Sequence, residues 1–91
     1  MKIYRVSACS NRDYHETAES CIEEQYFARL EAANEYADKG VEQAEHYAII
    51  NADDADQDVE VDRKERKVEF TDNMWDRIII GVYIDEIDVI E

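Results

Sequence analysis

The chain has 91 residues with 24 acids against 10 bases, a formal charge of −14, yet 45% of its positions are hydrophobic and six tyrosines are spread along it. That length makes one domain with a single modest core, and the apolar and aromatic content excludes the disorder that acid-rich chains otherwise show. No apolar run approaches the roughly 20 residues that span a bilayer, and a surface this acidic is repelled from anionic lipid and from nucleic acid.

Met1-Lys2-Ile3-Tyr4-Arg5-Val6 lacks the apolar region of a signal peptide, and two cysteines without a close pair fit reduced thiols. The expectation is a cytoplasmic protein that needs no cofactor. Self-repulsion at this charge density lowers stability, which points to a basic partner that relieves it.

The first element is a strand, because Tyr4, Val6 and Ala8 alternate with polar neighbours before the turn Ser10-Asn11-Arg12-Asp13. From Glu16 to Lys39 apolar residues recur at helical steps, but a single helix would put Phe27 among Glu16, Glu23 and Glu31. A strand ending near Phe27 turns that ring inward, so the segment reads as strand and then helix. The helix is placed from about Ala28 to Asp38, with Leu30, Ala33 and Ala37 inward, Glu31 and Glu35 in water, and Gly40 as its C-terminal cap. His46-Tyr47-Ala48-Ile49-Ile50 reads as a buried strand and Asn51 to Asp58 as a solvated loop. Val59 and Val61, the charged turn Arg63-Lys64-Glu65-Arg66, then Val68 and Phe70 make a hairpin. The near-continuous apolar run from Ile78 to Ile84 belongs in the middle of a sheet, covered on both faces at its start.

The fold expected is therefore α+β, one helix on a mainly antiparallel sheet in the order ββαββββ, or βαββββ if the helix is longer. The expected core is Tyr4, Val6, Leu30, Ala33, Ala37, Ile49, Val61, Phe70, Ile78, Ile80 and Val82.

The opening Met1-Lys2-Ile3-Tyr4, the step Tyr14-His15-Glu16, and Tyr26-Phe27 leading into Glu31-Ala32-Ala33-Asn34-Glu35-Tyr36-Ala37 resemble small acidic proteins of phages and mobile elements of Gram-positive bacteria. The resemblance covers the first part of the chain only and carries no catalytic pattern. It implies inhibition of host defence, an occupation that includes anti-CRISPR proteins which imitate the charge of DNA, and so a place in the host cytoplasm.

A DNA mimic needs carboxylates spaced like phosphates, so that lysines and arginines built to track a duplex meet them instead. One candidate edge is Glu16, Glu19, Glu23 and Glu24; another is Asp53, Asp54, Asp56 and Asp58 with Asp72, Asp76, Asp85, Glu86 and Asp88, provided the sheet brings these segments together. Trp75 is either a core or sheet-edge anchor or an exposed hot spot beside that second edge. Set against both is the plainer possibility that the acids only keep a small domain soluble.

Other chemistries fare worse. Asp54 to Glu65 places oxygens at several positions of a calcium loop, but Val59 stands where the sharp turn needs glycine. Cys9, His15, Cys21 and His46 lack the short spacing of a zinc knuckle, and nothing orients a thiolate or cradles a phosphate. Two expectations follow: a noncatalytic inhibitor whose acidic face occupies the groove of a basic, nucleic-acid-binding host protein, or a small structural protein that forms a homodimer through strand edges.

Overall fold

The computed structural model describes residues 1–10, 23–52, 54, 58–71 and 77–90. Among them lie β1 (Lys2–Ser10), β2 (Gln25–Phe27), one helix, α1 (Leu30–Asn51), and then β3 (Glu60–Asp62), β4 (Lys67–Thr71) and β5 (Arg77–Asp88). The strands form one antiparallel sheet in the order β2-β1-β5-β4-β3. The fold is α+β, a helix on an antiparallel sheet, with the last strand at its centre as its apolar run predicts. No helix among the described residues is long and apolar enough to cross a membrane.

Registers such as Val6↔Ile84, Ala8↔Val82, Val68↔Ile80 and Phe70↔Ile78 put the largest apolar side chains on one face of the sheet. Helix α1 packs across β1, β5 and β4 on that face, meeting them with Ala33, Ala37, Gly40, Val41, Ala44 and Ala48. These positions recur every three or four residues, so one narrow stripe of small side chains lies against the strands. Val6, Val68, Phe70 and Ile80 are fully buried beneath it, each contributing about 1.5–3 kcal/mol by leaving water. On the other face, Gly81 lies beneath the Tyr83 ring: a Cβ there would sit 2.7 Å from Cζ and 2.9 Å from Cε2 and press on the hydroxyl.

The helix corrects two expectations at once. Gly40 is a buried interior residue and not a cap, and His46–Ile50 is the last part of α1 and not a strand, so a single helix replaces the predicted helix and its following strand. The reason is periodic. Val41, Ala44 and Ala48 continue the inward stripe of Ala33 and Ala37, and the good helix formers between them offset the roughly 1 kcal/mol that a glycine costs there. Ile49 and Ile50 consequently point outward, at 47% and 67% exposure.

Leu30 is also exposed, since it opens the first turn before the helix meets the sheet, whereas Tyr4 and Val61 pack at the rim of the core. Val41, Ala44, Ala48 and Val68 take the vacant places in the core. Phe27 does turn inward from β2, its ring 5.2 Å from that of Tyr36. Burial, and secondarily the charge of Glu23, raises the Tyr36 phenol above its ordinary pKa, and the phenol donates a hydrogen bond to the Glu23 carbonyl at 2.7 Å.

The predicted hairpin forms between β3 and β4 around Arg63–Arg66. The Asp62 carboxylate accepts the N–H groups of Lys64 and Glu65 at 3.1 Å, a local bond that favours the turn. Arg66 closes the loop with φ 54°, a left-handed conformation that costs a non-glycine residue roughly 1–2 kcal/mol. Its side chain and carbonyl hold it there. The guanidinium donates to Asp38 and Asn34 of α1, and the carbonyl accepts the Val82 N–H at 2.9 Å.

Candidate protein-binding surface

The acids of α1 fall on a line. Glu31, Glu35, Asp38, Glu42 and Glu45 follow one another at steps of four, three, four and three, which at 100° per residue confines them to an arc of about 80°. That arc points well away from the alanine stripe, so Glu31, Glu35, Asp38 and Glu42 are exposed and Glu45 partly so. With a rise of about 1.5 Å per residue the ridge is about 21 Å long and carries a carboxylate every 5 Å or so. One strand of duplex DNA carries a charge about every 3.4 Å of axis, so the ridge has roughly two-thirds of that linear density.

Two of the five acids have arginine neighbours on one flank. Arg63 donates to Glu45 at 2.9 Å and Arg66 to Asp38 at 3.2 Å. Among the described residues, no base pairs with Glu31, Glu35 or Glu42. Like charges three or four residues apart on a helix repel by about 0.2–0.5 kcal/mol per pair, so the ridge opposes folding where it could have been interspersed with lysines.

The acids of the sheet are arranged differently. Asp85 accepts from Arg5 at 2.8 Å, with Glu24 3.6 Å from the same guanidinium, and Glu86 meets Lys2 at 3.0 Å. Arg77 gathers Glu60 and Glu69 at 3.2 Å each and donates also to the Asp58 carbonyl and Thr71 hydroxyl. The hydrogen bond from each base, reinforced by its partner's charge, holds Lys2 and Arg5 above their ordinary pKa. Arg5 Nε is nonetheless buried without an acceptor, because Glu24 stands too far away for a hydrogen bond.

Among the described residues, the acids of the predicted loop edge fall into two groups. Asp54 and Asp58 lie beside Arg77, where β5 begins, while Asp85, Glu86 and Asp88 lie at its other end, a separation of about 26 Å at 3.3 Å per residue. Asp53, Asp56, Asp72, Asp76 and Trp75 lie outside the described residues, as do Glu16 and Glu19 of the other edge; Glu23 and Glu24 stand beside β2, Glu24 on Arg5. In the stretch resembling a calcium loop, Glu60 is engaged by Arg77 and Asp62 by its own turn. The ridge escaped notice in the sequence because ending the helix at Gly40 separates Glu31 and Glu35 from Glu42 and Glu45. The signal was present as a heptad-like run of acids across the glycine.

Comparison with protein-family models, with curated proteins and with solved structures finds no match. The function is therefore read from the chemistry of this surface.

Proposed function

We propose that the protein is a noncatalytic inhibitor that lays the acidic ridge of α1 into the nucleic-acid-binding groove of a basic protein. The observation that carries this reading is the line of Glu31, Glu35, Asp38, Glu42 and Glu45 along one exposed helix face. A groove built to neutralise phosphates offers a row of lysines and arginines, and such a row gains more from carboxylates in line than from the same number scattered over a sheet. Glu45 can exchange its exposed Arg63 partner for those of the groove at little cost, since surface pairs are worth only about 0–1 kcal/mol. In a Gram-positive host of phages, a nucleic-acid-guided defence enzyme is the kind of target this reading favours, an anti-CRISPR-type role.

The test is affinity capture from such a host's lysate with the wild-type chain and with E31Q/E35Q/E42Q as parallel baits. The reading expects one nucleic-acid-binding protein that is retained by the wild type, displaced by duplex DNA and absent from the variant. Equal recovery on both baits would overturn it.

A further inference from the structure

Among the described residues, no strand pairs with one side of the second half of β5. The Val82 N–H donates to Arg66 on the β4 side, and the Val89 N–H donates to Met1 on the β1 side, at 2.9 and 2.8 Å. Backbone groups of successive strand residues alternate in direction, so even-numbered residues of β5 face β4 and odd-numbered ones face β1. Strand β4 pairs with β5 only as far as Lys67↔Gly81, whereas β1 continues to Lys2↔Asp88. Among the described residues, no strand pairs with Ile84, Glu86 and Asp88 on that side. Among the described residues, their N–H and C=O groups project off the sheet as an unpaired edge about 14 Å long at 3.4 Å per residue.

Natural edges of this kind are templates for another strand, and the side chains here say which. Asp85, Glu86 and Asp88 stand on the edge strand itself, while Lys2 and Arg5, which pair with Glu86 and Asp85, sit one strand further in on β1. An arriving strand therefore meets carboxylates before it meets bases. A second copy paired antiparallel about Glu86 would set Glu86 against Glu86 and bring the other acids of both copies to the same seam, an arrangement that opposes pairing. A strand bearing lysine or arginine at alternate positions would instead place its bases beside Glu86 and Asp88 on the helix side. Its intervening residues would then lie beside half-exposed Tyr83 and partly buried Ile87 on the other face.

We propose that the β5 edge from Ile84 to Asp88 binds an extended basic segment of a partner protein by strand addition. The proposal rests on main-chain groups of β5 and not on the carboxylates of the ridge. Main-chain bonds supply the pairing and alternate side chains the selectivity.

The probe is a capped peptide of alternating Lys and Val, about eight residues long to match a typical strand, with a Glu and Val peptide as control. Added to the wild-type chain, the Lys peptide is expected to slow amide exchange at Ile84, Glu86 and Asp88 roughly tenfold or more, leaving the already bonded amides of Tyr83, Asp85 and Ile87 little changed. Nonspecific charge attraction would not single out alternate amides. Glu86→Pro, which removes one outward donor, is expected to weaken binding roughly tenfold. E86K/D88K, which leaves the backbone untouched, is expected to lose the Lys peptide and gain the Glu peptide. Unchanged exchange at the three amides would overturn the proposal. So would protection of those amides in the chain alone at high concentration with a dimer in light scattering, because the occupant would then be a second copy.

Discussion

The helix and the sheet of this protein both carry many acids, but they handle them in opposite ways. On the sheet, Lys2, Arg5 and Arg77 are placed among the carboxylates of Glu24, Glu60, Glu69, Asp85 and Glu86, so each of these five acids has a base within 4 Å. On α1 five carboxylates share one line, and among the described residues arginines reach only two of them. Ion pairs of the first kind contribute little to stability, and a like-charge stripe of the second kind opposes it. A large negative charge therefore says little about a site until its arrangement is known. The feature that points to a partner is the place where the chain leaves its acids aligned and uncompensated.

Both surfaces stand on the same core, and the largest effect should come from removing that support. Phe70→Ala takes away a fully buried ring that also meets Tyr47 edge-on at 6.0 Å. A loss of about 3–5 kcal/mol in denaturant unfolding is expected, and both surfaces should be lost together. The open edge predicts a sharper contrast between neighbours. Ile87→Pro removes a donor from the β1 ladder and leaves its acceptor unpaired, which should cost about 1–3 kcal/mol, whereas Glu86→Pro, with its N–H directed outward, should cost well under half as much by the same measurement.

Helix and sheet should then separate. E31Q/E35Q/E42Q removes every like-charge neighbour pair of the ridge but also one acid from the first turn of α1, where a negative charge is favourable by about 0.3–1 kcal/mol. A small net gain of about 0.5 kcal/mol in unfolding free energy is expected, with partner binding weakened by about 1–3 kcal/mol for three exposed pairs. D85N/E86Q on the sheet should do the reverse, lowering stability by up to about 1 kcal/mol and leaving DNA-displaceable binding intact.

The smallest effect concerns the seam where β2 meets α1. Tyr36 has a raised pKa in the folded state, so the unfolded chain ionises first as pH rises past the ordinary phenol value of 10.0. The stabilisation is complete below that value and is lost as pH climbs from there through the folded-state pKa. Tyr36→Phe should flatten this alkaline decline in Tm, and an unchanged slope would assign the decline to other groups.

Strong periodicity made most of the fold legible in the sequence. Alternation located β1, the β3–β4 hairpin and β5, and the misplaced ring of Phe27 correctly separated β2 from the helix. Gly40 and His46–Ile50 misled because a glycine after a helical run and five consecutive weakly polar residues carry local signals for a cap and a strand. The tertiary stripe of Val41, Ala44 and Ala48 prevailed over both. Ile49 illustrates the same limit, for hydrophobicity alone does not reveal that it shares the ridge's direction and stays 47% exposed. The acidic surface was legible as a quantity and not as a place. Asp54 and Asp85 belong to one predicted edge, but only the bonds at Arg77 and the length of β5 show that they lie at opposite ends of that strand.

The most direct test is the salt dependence of binding between the captured partner and the wild-type ridge, measured beside E31Q/E35Q/E42Q with duplex DNA as competitor. A groove that takes the ridge in place of phosphates should bind the wild type with an affinity that falls steeply as salt rises, should release it to DNA, and should show a clearly shallower salt slope with the variant. Identical slopes for the two chains, or binding indifferent to DNA, would contradict the assignment of the α1 ridge as the site.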